Sequence, residues 1–239
     1  MNPAKPLFIH LIGLEGCGHH GIFPIFQQLL LERHGHGETQ VYLRTGLRTF
    51  LDRLYRGNES RPMVVRALRE FVSCNPNAVF ADDNSYPSHV SREIGNQWNF
   101  VDIHELLHDL CEIRYLRIHR NIFNTVNAHR EWDGGLAGHA RVLKVMQDFI
   151  DSGIAILAGN GVRIPVIDYD HIAASMDLIA AATGCGIDSV RRATSQLFRK
   201  SEKDYRVILT SDEIRMIGEV FGVAGQLDPA GPVPKYSLD

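Results

Sequence analysis

The segment LFIHLIGLEGCGHHGIFPIF, residues 7–26, restricts the fold more than any other stretch of the chain. An apolar run, Leu7–Leu14, reads as a buried strand. It empties into Gly13, Gly16 and Gly18, and helical spacing follows from Ile22 to Arg33. Pro24 then falls in the first helical turn, where proline is tolerated. The same alternation continues along the chain. Strand patterns are read at Val41–Arg44, Ala78–Asp82, Arg114–His119 and Ile164–Asp168. Helical patterns are read at 50–55, 63–73, 103–109, 122–130, 140–157, 176–183, 189–197 and 212–220. Strands alternating with helices predict an α/β fold, a three-layer α/β/α arrangement around a mostly parallel sheet. One domain over residues 1–239 is expected, with an extended proline-containing tail at 228–239.

The 239 residues carry a net charge of −3 with neutral histidines, and Lys and Arg form no basic block. Neither nucleic acid nor a membrane surface is indicated as a partner. Cys17, Cys74, Cys111 and Cys185 form no CxxC pair, which fits reduced thiols. No signal peptide or membrane-spanning run is read, so a cytoplasmic protein is expected. Oligomeric state stays open, a homodimer included.

Glycines between a strand and a helix expose backbone N–H groups at the positive end of the helix dipole. That is either an anion site or a tight turn. The usual nucleotide loop ends in Gly-Lys-Ser/Thr, whereas this one ends in Gly18-His19-His20. The two imidazoles either donate to an anion or pack beneath the loop. In a parallel sheet ligands bind at the carboxyl ends of the strands. Besides the loop, this selects Asp82–Pro87, Arg120–Arg130 and Asp168–His171.

Three later segments carry a resemblance. IRYLRIHRNIFNTVNAHR, residues 113–130, delivers Arg120 and Asn121 at a strand end and runs straight into a helix. IPVIDYDHIAASMDLIAAATG places Tyr169 and Asp170 after a strand. LFRKSEKDYRVILTSDEI places Phe198, Arg199, Lys200, Asp204, Tyr205 and Thr210 in order. Together with the opening loop, these resemble the sulfotransferase family that uses 3′-phosphoadenosine 5′-phosphosulfate (PAPS). The resemblance implies a P-loop-like sulfotransferase topology, PAPS as donor, its desulfated product 3′-phosphoadenosine 5′-phosphate (PAP), and no metal. It assigns Gly16, Cys17, Gly18, His19 and His20 to the donor's 5′ end, with the two histidines standing in for the absent lysine and hydroxyls. It assigns Arg120, Arg199, Lys200 and the backbone of Ser201 to the 3′-phosphate. Ala128 falls where the family has a serine, so Asn124, Asn127 or His129 is left to supply that donor.

Transfer to a hydroxyl or amine needs a base for the acceptor's proton. Asp82 and Asp83, read as a strand end, are the leading candidates, with a helix-capping turn as their alternative. His104 and His108, on one helical face, are others. A small-molecule or sugar acceptor is expected. Tyr86, Trp98 and Trp132 are candidates to stack on it or to cover the core, and His104 to line its site. A P-loop phosphotransferase and a non-catalytic nucleotide-binding relative are the competing functions.

Overall fold

A computed structural model of the chain describes residues 5–35, 37, 39–201 and 204–223. The tail read at 228–239 lies outside the described residues. Five strands form the sheet: β1 (Leu7–Leu14), β2 (Val41–Leu43), β3 (Val79–Tyr86), β4 (Glu112–His119) and β5 (Val166–Asp168). Their order is β2-β3-β1-β4-β5, and every pairing is parallel. The sheet expected to be mostly parallel is therefore parallel throughout. Hydrophobic β1 takes the centre, with all residues after Leu7 buried, while the three-residue strands β2 and β5 form the edges.

The helices are α1 (His19–His34), α2 (Leu47–Arg56), α3 (Arg61–Ser73), α4 (Phe100–Leu107), α5 (Ile122–Asn127), α6 (Leu136–Gly159), α7 (Met176–Thr183), α8 (Ile187–Leu197), α9 (Tyr205–Ile208) and α10 (Ser211–Phe221). Side chains alternate across a strand, and the core divides accordingly. Ile9, Leu11 and Ala81 pack with α1, α7 and α8 in the larger cluster. Phe8 and Phe80 pack with Leu47, Leu68, Trp98 and Ile103 from the α2–α4 side. No helix among the described residues is long and apolar enough to cross a membrane.

Two differences from the sequence expectation bear on the site. First, α1 begins at His19, three residues early, so Pro24 lies in its second turn. A proline has no N–H, and the His20 carbonyl therefore loses its helical donor. Second, β3 does not stop at Asp82. It runs through Asp83, Asn84 and Ser85 to Tyr86, almost entirely buried. Four polar residues look like a strand end, but β1 pairs with this segment along its whole length, to Leu14 opposite Tyr86.

Candidate functional site

The loop after β1 is held in place by backbone bonds. Glu15 N–H donates to the Tyr86 carbonyl (2.9 Å) and Cys17 N–H to the Leu14 carbonyl (3.1 Å). Gly16 and Gly18 have positive φ, 84° and 107°, a conformation that disfavours side chains. The loop is also closely surrounded. A Cβ on Gly16 would lie 2.6 Å from the Thr125 carbonyl oxygen, and one on Gly18 would lie 2.1 Å from the Tyr169 ring. The segments that follow β4 and β5 thus close on the loop after β1, as expected for a site at the carboxyl ends of a parallel sheet.

Arg120 sits at that junction. Its Nη1 donates to the Gly16 carbonyl (3.0 Å), and its guanidinium lies 5.0 Å from the centre of the Tyr169 ring. The residue is only 8% exposed. Its Nε is buried without a hydrogen-bond partner, and no carboxylate pairs with it among the described residues. A buried cation normally has a counter-charge. The following residue, Asn121, caps α5 by accepting from the N–H groups of Phe123 and Asn124, and its own N–H donates to Asp170 (2.8 Å).

The 198–201 segment joins the same cluster through Tyr169. The tyrosine hydroxyl accepts from Ser201 N–H (3.2 Å) and donates to the Arg199 carbonyl (3.3 Å). Lys200 Nζ donates to the Asp170 carbonyl (2.9 Å). Arg199 and Lys200 are exposed, and their cationic groups bond to backbone carbonyls.

Other candidate residues are placed differently from expectation. Cys17 points inward, so that its sulfur lies 2.6 Å from where a Gly13 Cβ would be; it offers no hydroxyl-like donor to the loop's concave side. His19 is also turned inward and is 6% exposed. Its Nδ1 lies 3.5 Å from Asp83 Oδ2. Burial opposes its protonation, but the Cys17 sulfur and the Asp83 carboxylate outweigh that and push it up to about 10. His19 thus lies beside Asp83 of β3, beneath the loop, whereas the sequence reading set it against the donor's 5′ end. His20 is exposed at the helix start. Ala128 packs beneath Gly16. Asn124 Oδ1 accepts from Tyr205 N–H (2.9 Å) and so docks α9. Asn127 is buried with its Oδ1 unpartnered, and His129 stacks on Trp132 at 4.1 Å.

The expectation that Asp82 and Asp83 supply the base meets a physical obstacle. Both oxygens of Asp83 accept from Arg44 (2.6 and 2.7 Å). Burial would raise its carboxyl, but His19 and Arg44 hold it well below the usual range, which makes a poor base. Asp82 is 1% exposed on the other side of β3, bonded to Arg48. Burial pushes it up to about 7 against the pull of Arg48, yet no acceptor reaches it in this closed position. Arg44 and Arg48, which complete this network, were not singled out by the sequence reading. Their spacing of four on the segment leading into α2 was the available signal.

Tyr86 and Trp98 are fully buried. Tyr86 donates to the Trp98 carbonyl (2.6 Å) and Trp98 Nε1 to Asp52 (3.1 Å). Both cover the core and neither faces an acceptor. His104 and His108 stack on each other, and the His108 carbonyl accepts from Lys5, just ahead of β1. This contact sets the pair at the amino ends of the strands, away from the glycine loop at their carboxyl ends. No group of three metal-ligating side chains is found among the described residues. Trp132 does line an open cleft, described below.

No protein-family model matches the chain, and no curated protein matches it in sequence. Among solved structures, it is similar to the sulfotransferase domain of the Synechococcus PCC 7002 olefin synthase. The match covers 93% of this chain and 97% of that one, at 12% identity and a TM-score of 0.44.

Proposed function

We propose that the chain is a transferase of the sulfotransferase type, moving a sulfuryl group from PAPS to a hydroxyl or amine of a small molecule or sugar. The observation that carries this is Arg120: a buried guanidinium without a carboxylate partner among the described residues, set between a positive-φ glycine loop and Tyr169. Its orphaned Nε fits an anionic group at that point. Arginine suits a phosphate because its planar fork gives parallel charge-assisted bonds. Arg120, Arg199, Lys200 and Ser201 would hold the 3′-phosphate. The loop N–H groups and His20 would hold the 5′ end. PAPS supplies an activated sulfuryl group on a phosphate leaving group; the chain's own task is to orient that group and to exclude water.

The test is thermal stabilisation by PAP, by adenosine 5′-phosphate and by ATP with magnesium. PAP should raise the melting temperature most. Arg120→Ala should weaken PAP by roughly 10- to 100-fold, in line with one charged hydrogen bond, and adenosine 5′-phosphate much less. Because both ligands meet the same altered loop, the contrast separates 3′-phosphate binding from damage to the fold. Equal losses for both would remove Arg120 from this role. Stabilisation by ATP with magnesium and not by PAP would favour a phosphotransferase. Stabilisation by none would favour a non-catalytic relative.

His20 provides a further prediction. His20→Ala should leave the melting temperature of the free protein unchanged and cut sulfuryl transfer more than PAP affinity, since only the donor carries the sulfonate. Normal turnover in a ³⁵S-PAPS assay would mean that backbone N–H groups alone hold the 5′ end.

A further inference from the structure

Next to the glycine loop the chain has an open cleft of about 280 Å³, lined by His89, Val90, Ser91, Arg92 and Trp132. Glu15, the first residue of the loop after β1, stands behind the lining residue Arg92. It is 5% exposed, and its Oε2 accepts from Arg92 Nη1 (2.6 Å). Arg92 is fixed from several sides. Its Nε donates to Asp133 (2.9 Å), its guanidinium lies 5.0 Å from the centre of the Trp132 ring, and Asp133 is in turn held by buried His139 at 2.7 Å. Asp133 has a positive φ of 56°. This bracing aims one oxygen of Glu15 at Arg92, while the other accepts no hydrogen bond among the described residues. That free oxygen is not among the fully enclosed unpartnered atoms, so it is placed to receive a proton from a ligand.

We propose that Glu15 is the general base of the transfer and that the cleft beside it receives the acceptor, a hydroxyl or amine compound of one or two rings. This rests on the donor reading above. The cleft's volume, near the lower bound for small-molecule sites, suits an acceptor of that size. In the step, the acceptor oxygen or nitrogen forms a bond to sulfur as the bond from sulfur to the bridging phosphate oxygen breaks. That oxygen leaves with the electron pair as part of PAP, and the acceptor's proton passes to Glu15 and then to solvent. Burial raises the Glu15 carboxyl above its ordinary value, although Arg92 pulls it back, so it is a stronger base than an exposed glutamate. Asp83 is excluded from the task because Arg44 occupies both of its oxygens, and Asp82 because its unpartnered oxygen is fully enclosed.

The experiment pairs ³⁵S transfer to a panel of one- and two-ring phenols, alcohols and amines with PAP-induced thermal stabilisation. Saturation-transfer NMR of the panel is run on the PAP-loaded protein. Glu15→Gln should bind PAP as the wild type does and lose transfer by roughly 100-fold or more, the range for one general base. Val90→Trp starts from a side chain 60% exposed on the cleft. It should raise the acceptor KM at least tenfold, abolish the NMR signal and leave PAP binding unchanged. Should Glu15→Gln fail to fold, Glu15→Asp, which keeps the charge facing Arg92, should retain PAP binding with slowed transfer. The proposal is overturned if Glu15→Gln, or Glu15→Asp in its place, transfers within threefold of the wild type. It is also overturned if Val90→Trp leaves acceptor binding intact, or if a wild type that binds PAP transfers to no panel member. A wild type that does not bind PAP overturns the donor reading first, so the two failures are distinct.

Discussion

Asp83→Asn is expected to destabilise the fold by about 3–5 kcal/mol, the usual cost of stranding a buried charge by removing its partner. The side chain is 7% exposed and neutralises two cations at once, Arg44 in a two-pronged pair and His19 at 3.5 Å. Arg48 adds a third cation at 3.6 Å. Chemical denaturation at neutral pH measures the loss. In an Asp83→Asn background, His19→Gln should recover part of it, because one stranded cation disappears; additive losses would mean that the two residues are not coupled. The pH dependence follows from the same pair. His19 titrates in the fold near 10 against an ordinary 6.5, so its contribution is complete below about 6.5 and is lost as pH rises towards 10. Asp83 is held below its ordinary 3.8, so its contribution is complete above that value and is lost as pH falls below it. The stability difference between wild type and His19→Gln should therefore be flat between about pH 4 and 6.5 and shrink above that window. A difference that stays constant from 6.5 to 10 would mean that His19 is buried neutral.

This network also shows where the sequence stops being readable. The strand, loop and helix at residues 7–34 were legible because continuous hydrophobicity and positive-φ glycines are local signals. The polar run from Asp82 to Ser85 was not. Whether such residues end a strand or lie buried in it depends on Arg44 and Arg48, placed 39 and 34 positions earlier. Glu15 has the same character. A charge between glycines reads as loop surface until Arg92, 77 positions later, makes its burial tolerable. Tyr86 and Trp98 sat between a strand and a helix and looked available, yet a hydrogen bond from one to the carbonyl of the other closes them into the core. Arg120, Tyr169 and the 198–201 segment were legible as pieces. Their meeting point was not, because it depends on the ring of Tyr169 lying against Gly18.

That contact yields the second large effect. Gly18→Ala is expected to cost about 2–6 kcal/mol, combining the penalty for a side chain at φ 107° with overpacking. The new Cβ would stand 2.1 and 2.3 Å from Cδ2 and Cε2 of Tyr169. The ring has little room to retreat: it is 4% exposed, packs edge-on against Phe198 and bonds through its hydroxyl to Arg199 and Ser201. Displacing it should loosen residues 198–201, read as faster amide exchange there. Gly161→Ala is the control. It also has a positive φ, 78°, but its Cβ would meet nothing within 4 Å, so it should incur the conformational penalty alone. The excess of Gly18→Ala over Gly161→Ala then measures the clash, and it should vanish in a Tyr169→Ala background. An excess that survives removal of the ring would mean that Tyr169 does not seal the loop, and that Arg199, Lys200 and Ser201 are held near it by some other contact.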